Sequence, residues 1–222
     1  YAIWLDAGGV LVLPDPTVLA PLLAYYGAST ALERHRRAHY AAMAVKSAQG
    51  ADEHDWRAYD VAYVESLGVP AVDVAEAASV LGITRHAPLW RWPIAESVDA
   101  LRAISAAGVG LGVVSNAAGQ IEAVLRRSGV CQVGAGPGVA GRCVVDSEVV
   151  GVAKPDPAIF DHAAPHFPGL DRRRIAYVGD SVTMDVGGAT AAGLHPILLD
   201  PFDDHDGAPF DRIRSLAELV PR

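Results

Sequence analysis

The chain has 222 residues, 51% of them hydrophobic and 20% charged, with a formal net charge of −8. That is ample material for a buried core, in one domain or in one domain with a sizeable insertion. The acidic balance argues against an electrostatic nucleic-acid binder, though not against a small anionic ligand held by local charge; no apolar run approaches the roughly 20 residues that a membrane helix needs, and no basic segment precedes a signal-like stretch.

Tyr1 is not an initiator residue, so a few residues are expected upstream of it. Ala2 to Leu5 is an apolar run that delivers one carboxylate, Asp6, with Gly8 and Gly9 just after it. It reads as a short buried strand ending on a charge that something must neutralise or use. Helical patterns then follow one another. The first covers Leu19 to Tyr26, and the second runs from Thr30, which stands at capping-box spacing from Glu33, to about Ser47. Asp52 to Leu67 and Asp73 to Leu81 each open on an acidic residue and stop near glycine. No strand pattern interrupts them, so this helical insertion is too long to be a simple loop.

From residue 89 strands and helices alternate: helix Ser97 to Ala106, strand Val109 to Ser115, helix Ile121 to Arg127, then strands Ile175 to Gly179 and Pro196 to Leu199. This rhythm predicts an α/β fold of three layers, a parallel sheet with helices on both faces. The glycine-rich stretch Gln132 to Arg142 reads as an irregular surface excursion, and Pro155 and Pro157 suit a helix start. Cys131 and Cys143, outside any C-x-x-C pattern, read as reduced thiols rather than a zinc site, with a disulfide as the alternative.

Open parallel sheets bind ligands at the carboxyl ends of their strands, so the residue on which each strand ends is informative. Those residues are Asp6, then Ser115 with Asn116, then Asp180 with Asp185 five positions on; Lys154 stands just before Pro155. Singly, each has an ordinary reading as a turn residue, a helix cap or a solvated lysine. Together, three aspartates, a lysine and a hydroxyl converge on one sheet edge.

The segments LDAGGVL, VVSNA, VAKPDP and VGDSVTMD resemble, in order, the four signature segments of the haloacid dehalogenase-like hydrolase superfamily, over about residues 2 to 200. The insertion resembles the helical cap of one of its subfamilies. The resemblance implies a Rossmann-like core from residues 1–13 and 89–222, an all-helical cap over 14–88, and phosphoryl transfer to Asp6 as an aspartyl-phosphate. It implies Mg²⁺ held by the Asp6 carboxylate, the Gly8 carbonyl and Asp180, with Asp185 as a further ligand or as partner to one. Lys154 is expected to touch both Asp6 and the phosphate. Ser115, with backbone N–H groups near Asn116, is expected to hold phosphate oxygens, and the backbone at Ala7 and Gly8 to lie close to the phosphate. The protein so implied is a cytoplasmic Mg²⁺-dependent phosphatase for a small phosphorylated metabolite, a sugar or polyol phosphate, working as a monomer or homodimer without nucleic-acid or membrane partners.

One position departs from that pattern. Phosphatases of the superfamily mostly carry a second aspartate two residues after the nucleophile, as general acid and base; here that position is Gly8. Such help is typically worth about a hundredfold to ten-thousandfold. A phosphatase without it suits leaving groups that need little protonation, such as sugar 1-phosphates and acyl phosphates. A dehalogenase also lacks that acid, but resembles this chain less at Gly8, where it typically carries a bulky aromatic, and at Gly179-Asp180, which it typically lacks. A non-catalytic module would not require the intact nucleophile, lysine and metal residues, and a phosphomutase would need the missing group twice. Within the insertion, His35, His39 and Met43 share one helix face, for which cap packing or solvent is the commoner fate and the site the alternative. The cluster Asp52, Glu53, His54 and Asp55 reads as a helix start, and Trp90 and Trp92 as packing at the return to the core.

Overall fold

A computed structural model describes residues 1–50 and 55–221. Strand β1 (Ala2–Leu5) leads through a tight turn to β2 (Val12–Pro14), and four helices follow: α1 (Pro16–Ala24), α2 (Leu32–Ala48), α3 (Arg57–Ser66) and α4 (Val74–Thr84). Then come β3 (Trp90–Pro93), α5 (Ala95–Ala106), β4 (Gly110–Ser115), α6 (Ile121–Arg127), β5 (Cys131–Val133), β6 (Val139–Gly141), β7 (Val144–Asp146) and a single turn, α7 (Ser147–Val150). The chain closes with β8 (Ile175–Gly179), a π-helical turn (Val182–Gly187) running into α8 (Gly188–Ala191), β9 (His195–Leu199) and β10 (Asp211–Ile213).

Six strands form one sheet in the order β10–β9–β8–β1–β4–β7, every neighbouring pair parallel. All four residues of β1 are buried, as suits a central strand covered on both faces. Leu5 lies level with Val113 of β4 and Val178 of β8, so the chain leaves all three strands at the same edge, carrying Asp6, Ser115 and Asp180. One face of the sheet packs through Ile3, Leu5, Leu101, Ile104, Leu111 and Leu125. The other packs through Trp4, Phe160, Phe167 and Tyr177. These are the three layers that the alternation implied.

The helices α1–α4 bury a cluster of their own, including Leu19, Leu23, Tyr59, Tyr63, Leu67 and Leu81. The chain enters and leaves this bundle through β2 and β3, which pair antiparallel.

Several local expectations are corrected. Helix α1 starts at Pro16, because the Asp15 side chain caps it by accepting from Thr17 N at 3.0 Å. The Thr30–Glu33 capping box does not form: α2 begins at Leu32, with Ala31 as the flanking residue and no side-chain cap. Of the Asp52–Asp55 cluster, the first three residues lie outside those described, and α3 begins at Arg57. The segment after Pro155 is a 3₁₀ helix, Pro157–His162. Gln132 to Arg142 is less irregular than its glycines suggest. β5 and β6 pair there in parallel, and the buried Gln132 amide donates to Gly134 O and Gly138 O and accepts from Gly138 N. Cys131 and Cys143 are both buried and unpaired with each other. Among the described residues no helix is long and apolar enough to cross a membrane.

Candidate active site

Asp6 follows β1 directly, and its own N–H donates to Val178 O of the neighbouring strand at 2.8 Å. The next residues fold back tightly: Leu11 N and Val12 N both donate to Ala7 O, and Gly9 N donates to Val12 O. Gly9 takes φ +66°, and a Cβ there would overlap Asp180 Oδ2, so only glycine fits this bend. Gly8 is confined for a different reason. A Cβ on it would stand 3.1 Å from the Trp90 indole, which covers the place where a longer side chain would project.

Lys154 is 2% exposed, yet its ammonium lies 3.1 Å from Asp6 Oδ1 and donates to Asp185 Oδ1 at 2.6 Å and to the Tyr177 hydroxyl at 2.8 Å. Tyr177 in turn donates to Val114 O at 2.7 Å, which fixes it to β4. Burial opposes the lysine charge, but Asp185 and Asp6 outweigh burial and hold its pKa above the ordinary lysine value. The Asn116 side chain grips the lysine backbone from both sides, accepting from Lys154 N at 2.8 Å and donating to Lys154 O at 3.0 Å.

Asp185 is engaged at both oxygens, by Lys154 at Oδ1 and by the N–H groups of Asp180 and Ser181 at Oδ2. Asp180 stands differently. Its Oδ2 meets His39 Nε2 at 2.8 Å.

Asp6, Asp180 and Asp185 can each offer an oxygen within 4.8 Å of the others. Three carboxylates so close, with one lysine among them, carry excess negative charge in a buried place. Burial pushes the Asp6 carboxyl up to about 7; Lys154 lowers it, Asp185 and Asp180 raise it further, and the Ser115 hydroxyl lowers it. Asp180 is raised as well, by burial first, with its contact to His39 opposing. An all-oxygen donor set that its own lysine leaves under-neutralised fits a hard divalent cation such as Mg²⁺.

These groups face a cavity of about 650 Å³. Asp6, Gly8, Ser115, Asn116, Lys154, Asp180 and Asp185 line its floor, and Met43, Lys46, Trp56, Arg85 and Trp90 line the side facing the bundle. Arg85 lies 4.2 Å over the Trp56 ring and pairs with Asp60 through both carboxylate oxygens. Ala7, expected beside the substrate, is not among the lining residues; its N–H donates to Asp6 Oδ1 at 2.7 Å. The face shared by His35, His39 and Met43 divides. His35 belongs to the bundle, bonded to Tyr63 and Ser29; His39 reaches Asp180; Met43 lines the cavity. Spacing along the helix showed that the three share a face but held no sign of the residue 141 positions away that His39 meets.

The chain spans about half the length of the curated relatives it matches over the longest stretch. "Haloacid dehalogenase-like hydrolase domain-containing protein 3" of Bos taurus is 34% identical over 137 residues, 59% of this chain and 51% of that protein. "Glyceraldehyde 3-phosphate phosphatase" of Methanopyrus kandleri is 37% identical over 87 residues, 35% of this chain and 37% of the relative. "Pyrimidine 5'-nucleotidase YjjG" of Escherichia coli is 40% identical over 79 residues, 34% of this chain and 35% of the relative. Among solved structures, a HAD phosphatase from Thermococcus onnurineus superposes with a TM-score of 0.58 at 20% identity, covering 98% of this chain and 95% of that one. A 2-haloacid dehalogenase from Pseudomonas syringae does so with a TM-score of 0.52 at 21% identity, over 98% and 95%. Structural likeness at such low identity extends to both activities and speaks for the fold alone. The family model for haloacid dehalogenase-like hydrolases matches residues 2–193, which take in β1, β4, β7 and β8 of the sheet and the helices α1–α4, and the chain belongs to that family.

Proposed function

We propose that this hydrolase is a Mg²⁺-dependent phosphatase acting on a small phosphorylated metabolite through an aspartyl-phosphate on Asp6. The observation that supports it is the meeting of Asp6, Lys154 and the Asp180–Asp185 pair on the floor of one cavity. Phosphatase-named relatives, one for glyceraldehyde 3-phosphate and one for pyrimidine 5'-nucleotides, agree with a small phosphate ester as substrate.

In this reading an Asp6 oxygen attacks phosphorus and the bond from phosphorus to the leaving oxygen breaks. Water then attacks the same phosphorus, releasing phosphate and restoring Asp6. Lys154, buried and charged, draws charge away from Asp6 and the phosphoryl oxygens, and Ser115 and neighbouring N–H groups hold those oxygens. Asp6, the Gly8 carbonyl and Asp180 would hold Mg²⁺, which when bound offsets the repulsion between the two anions. Asp185, saturated by protein donors, orients Lys154 and the loop bearing Asp180. Residues 14–88 act as a cap over the core formed by 1–13 and 89–222, and the cap side of the cavity selects the substrate.

With Trp90 against Gly8, no carboxylate stands two residues beyond the nucleophile to protonate the leaving oxygen. Esters with good leaving groups should therefore react best. The test is hydrolysis of an aryl phosphate, a sugar 1-phosphate, a sugar 6-phosphate and a 2-haloacid, each with and without Mg²⁺. Metal-dependent phosphate release that disappears in Asp6→Asn is expected, with the sugar 1-phosphate ahead of the 6-phosphate. Halide release without metal would instead establish a dehalogenase, for which an aromatic over Gly8 is no handicap. Equal turnover of the two sugar phosphates would overturn the leaving-group argument.

A further inference from the structure

We propose that His39, held in place by Tyr59, is a positioning residue for the metal site: it fixes the orientation of Asp180, and through it the helical bundle sets the affinity of the core for its cation. This rests on the reading of Asp180 as a metal ligand.

His39 is 1% exposed and satisfied at both ring nitrogens. As a carboxylate, Asp180 can only accept, so the proton between them sits on His39 Nε2, 2.8 Å from Oδ2. The other nitrogen, Nδ1, lies 2.9 Å from the Tyr59 hydroxyl, itself fully buried on α3. Edge contacts with Tyr40, Tyr59 and Trp90 leave the imidazole little freedom to rotate. The chain Tyr59–His39–Asp180 therefore runs from inside the bundle to a carboxylate at the sheet edge. It occupies Oδ2 of a residue that lines the cavity.

Neighbouring contacts make this a grip on two loops rather than one. Tyr40, adjacent to His39 on α2, donates to Gly9 O at 2.7 Å, in the loop that carries Asp6 and Gly8. About two turns further on, the Ser47 hydroxyl accepts from Val182 N at 3.2 Å, in the loop that carries Asp180. A single helix thus ties together the two segments whose oxygens must converge on a cation. A partner that orients a metal-ligating side chain from outside the coordination sphere typically changes metal affinity about ten- to a hundredfold when removed. By linkage, whatever affinity the docked bundle adds to the cation, the cation returns as tighter docking.

The experiment is Mn²⁺ binding to the substrate-free protein, followed by the loss of the free-ion electron paramagnetic resonance signal, with unfolding midpoints measured in parallel. His39→Ala should raise the Mn²⁺ dissociation constant about tenfold or more. Tyr59→Phe, which keeps the ring and removes only the hydroxyl, should raise it several-fold without a matching loss of fold. His39→Gln, which returns an N–H to the same reach, should recover most of the affinity; a purely structural histidine would show no such rescue. Amides of α2 should exchange more slowly with metal present in the parent protein, and not in His39→Ala. If Asp180→Asn abolishes binding while His39→Ala and Tyr59→Phe bind like the parent, the positioning role is overturned and the metal site stands. If Asp180→Asn binds as tightly as the parent, the metal-site reading itself fails and takes this one with it. Should His39→Ala not fold, Tyr59→Phe decides by the same criteria.

Discussion

Asp6 concentrates the physics of the site in one side chain. Burial and two neighbouring carboxylates hold its proton on up to about pH 7 in the metal-free protein, with Lys154 pulling the other way. A proton that a cation must displace makes binding pH-dependent. Below pH 7 the Mg²⁺ affinity should weaken by about tenfold per pH unit, and above 7 it should level off. Calorimetry in buffers of different ionisation heat checks this through the protons released; an affinity flat between pH 5.5 and 7.5 would refute it. Gly8 supports a second prediction. Since Trp90 already fills the space beside it, Gly8→Asp alone should do little for a sugar 6-phosphate, whereas Gly8→Asp with Trp90→Ala should raise kcat, towards the roughly hundredfold or greater contribution of a general acid. A third concerns the cysteines, whose thiols burial pushes up to about 12 at Cys131 and about 11 at Cys143. Both are protonated at pH 8, so a disulfide-exchange reagent should leave them untouched until the protein unfolds.

Among the elements, those that build the floor of the site were the ones most legible in the amino-acid pattern. β1 and β8 are short, wholly apolar runs ending on an aspartate, and their ends carry the side chains that the chemistry needs. The register of a parallel sheet then does the rest, bringing Asp6 and Asp180 to one edge without any further instruction. The three-residue edge strands β7 and β10 are not legible because three residues hold no period to read, and β5 and β6 because their pairing hides among glycines. Trp90 reads from sequence as packing alone, and His39 as cap packing or solvent with the site as the alternative, since their roles depend on how two separately packed units meet. The turn between β1 and β2 has the least tolerance of any element here. Gly9→Ala should both lose metal affinity and destabilise the fold by more than about 1 kcal/mol, because the left-handed conformation and the overlap with Asp180 act together. Mg²⁺ titration and chemical unfolding of the variant would show it; unchanged binding would mean that the loop has room to relax.

At the scale of the molecule, α2 is the bridge between bundle and sheet, and its contacts differ widely in worth. Arg37 pairs with Asp204 through two hydrogen bonds and lies 5.0 Å over the Phe202 ring, but its side chain is 43% exposed. Exposed ion pairs contribute about 0–1 kcal/mol. The Tyr40 hydroxyl is buried, and its removal strands the Gly9 carbonyl, a loss of about 1–3 kcal/mol. Tyr40→Phe should therefore lower the unfolding midpoint more than Arg37→Ala, although the arginine makes more bonds. The reverse order in thermal unfolding would mean that the outer contacts, not the buried ones, hold the bundle down.

The two-stranded stem of β2 and β3 has an evolutionary corollary. Because the chain departs and comes back through adjacent strands, everything between them is a graft that a related scaffold could accept at two neighbouring seams, trading one selectivity for another. The imidazole that crosses to the sheet limits that trade. If His39 orients Asp180 as proposed, a transplanted bundle without a donor at its position would arrive with its own pocket wall and a core that grips a cation less firmly, so successful exchanges should carry the histidine with them.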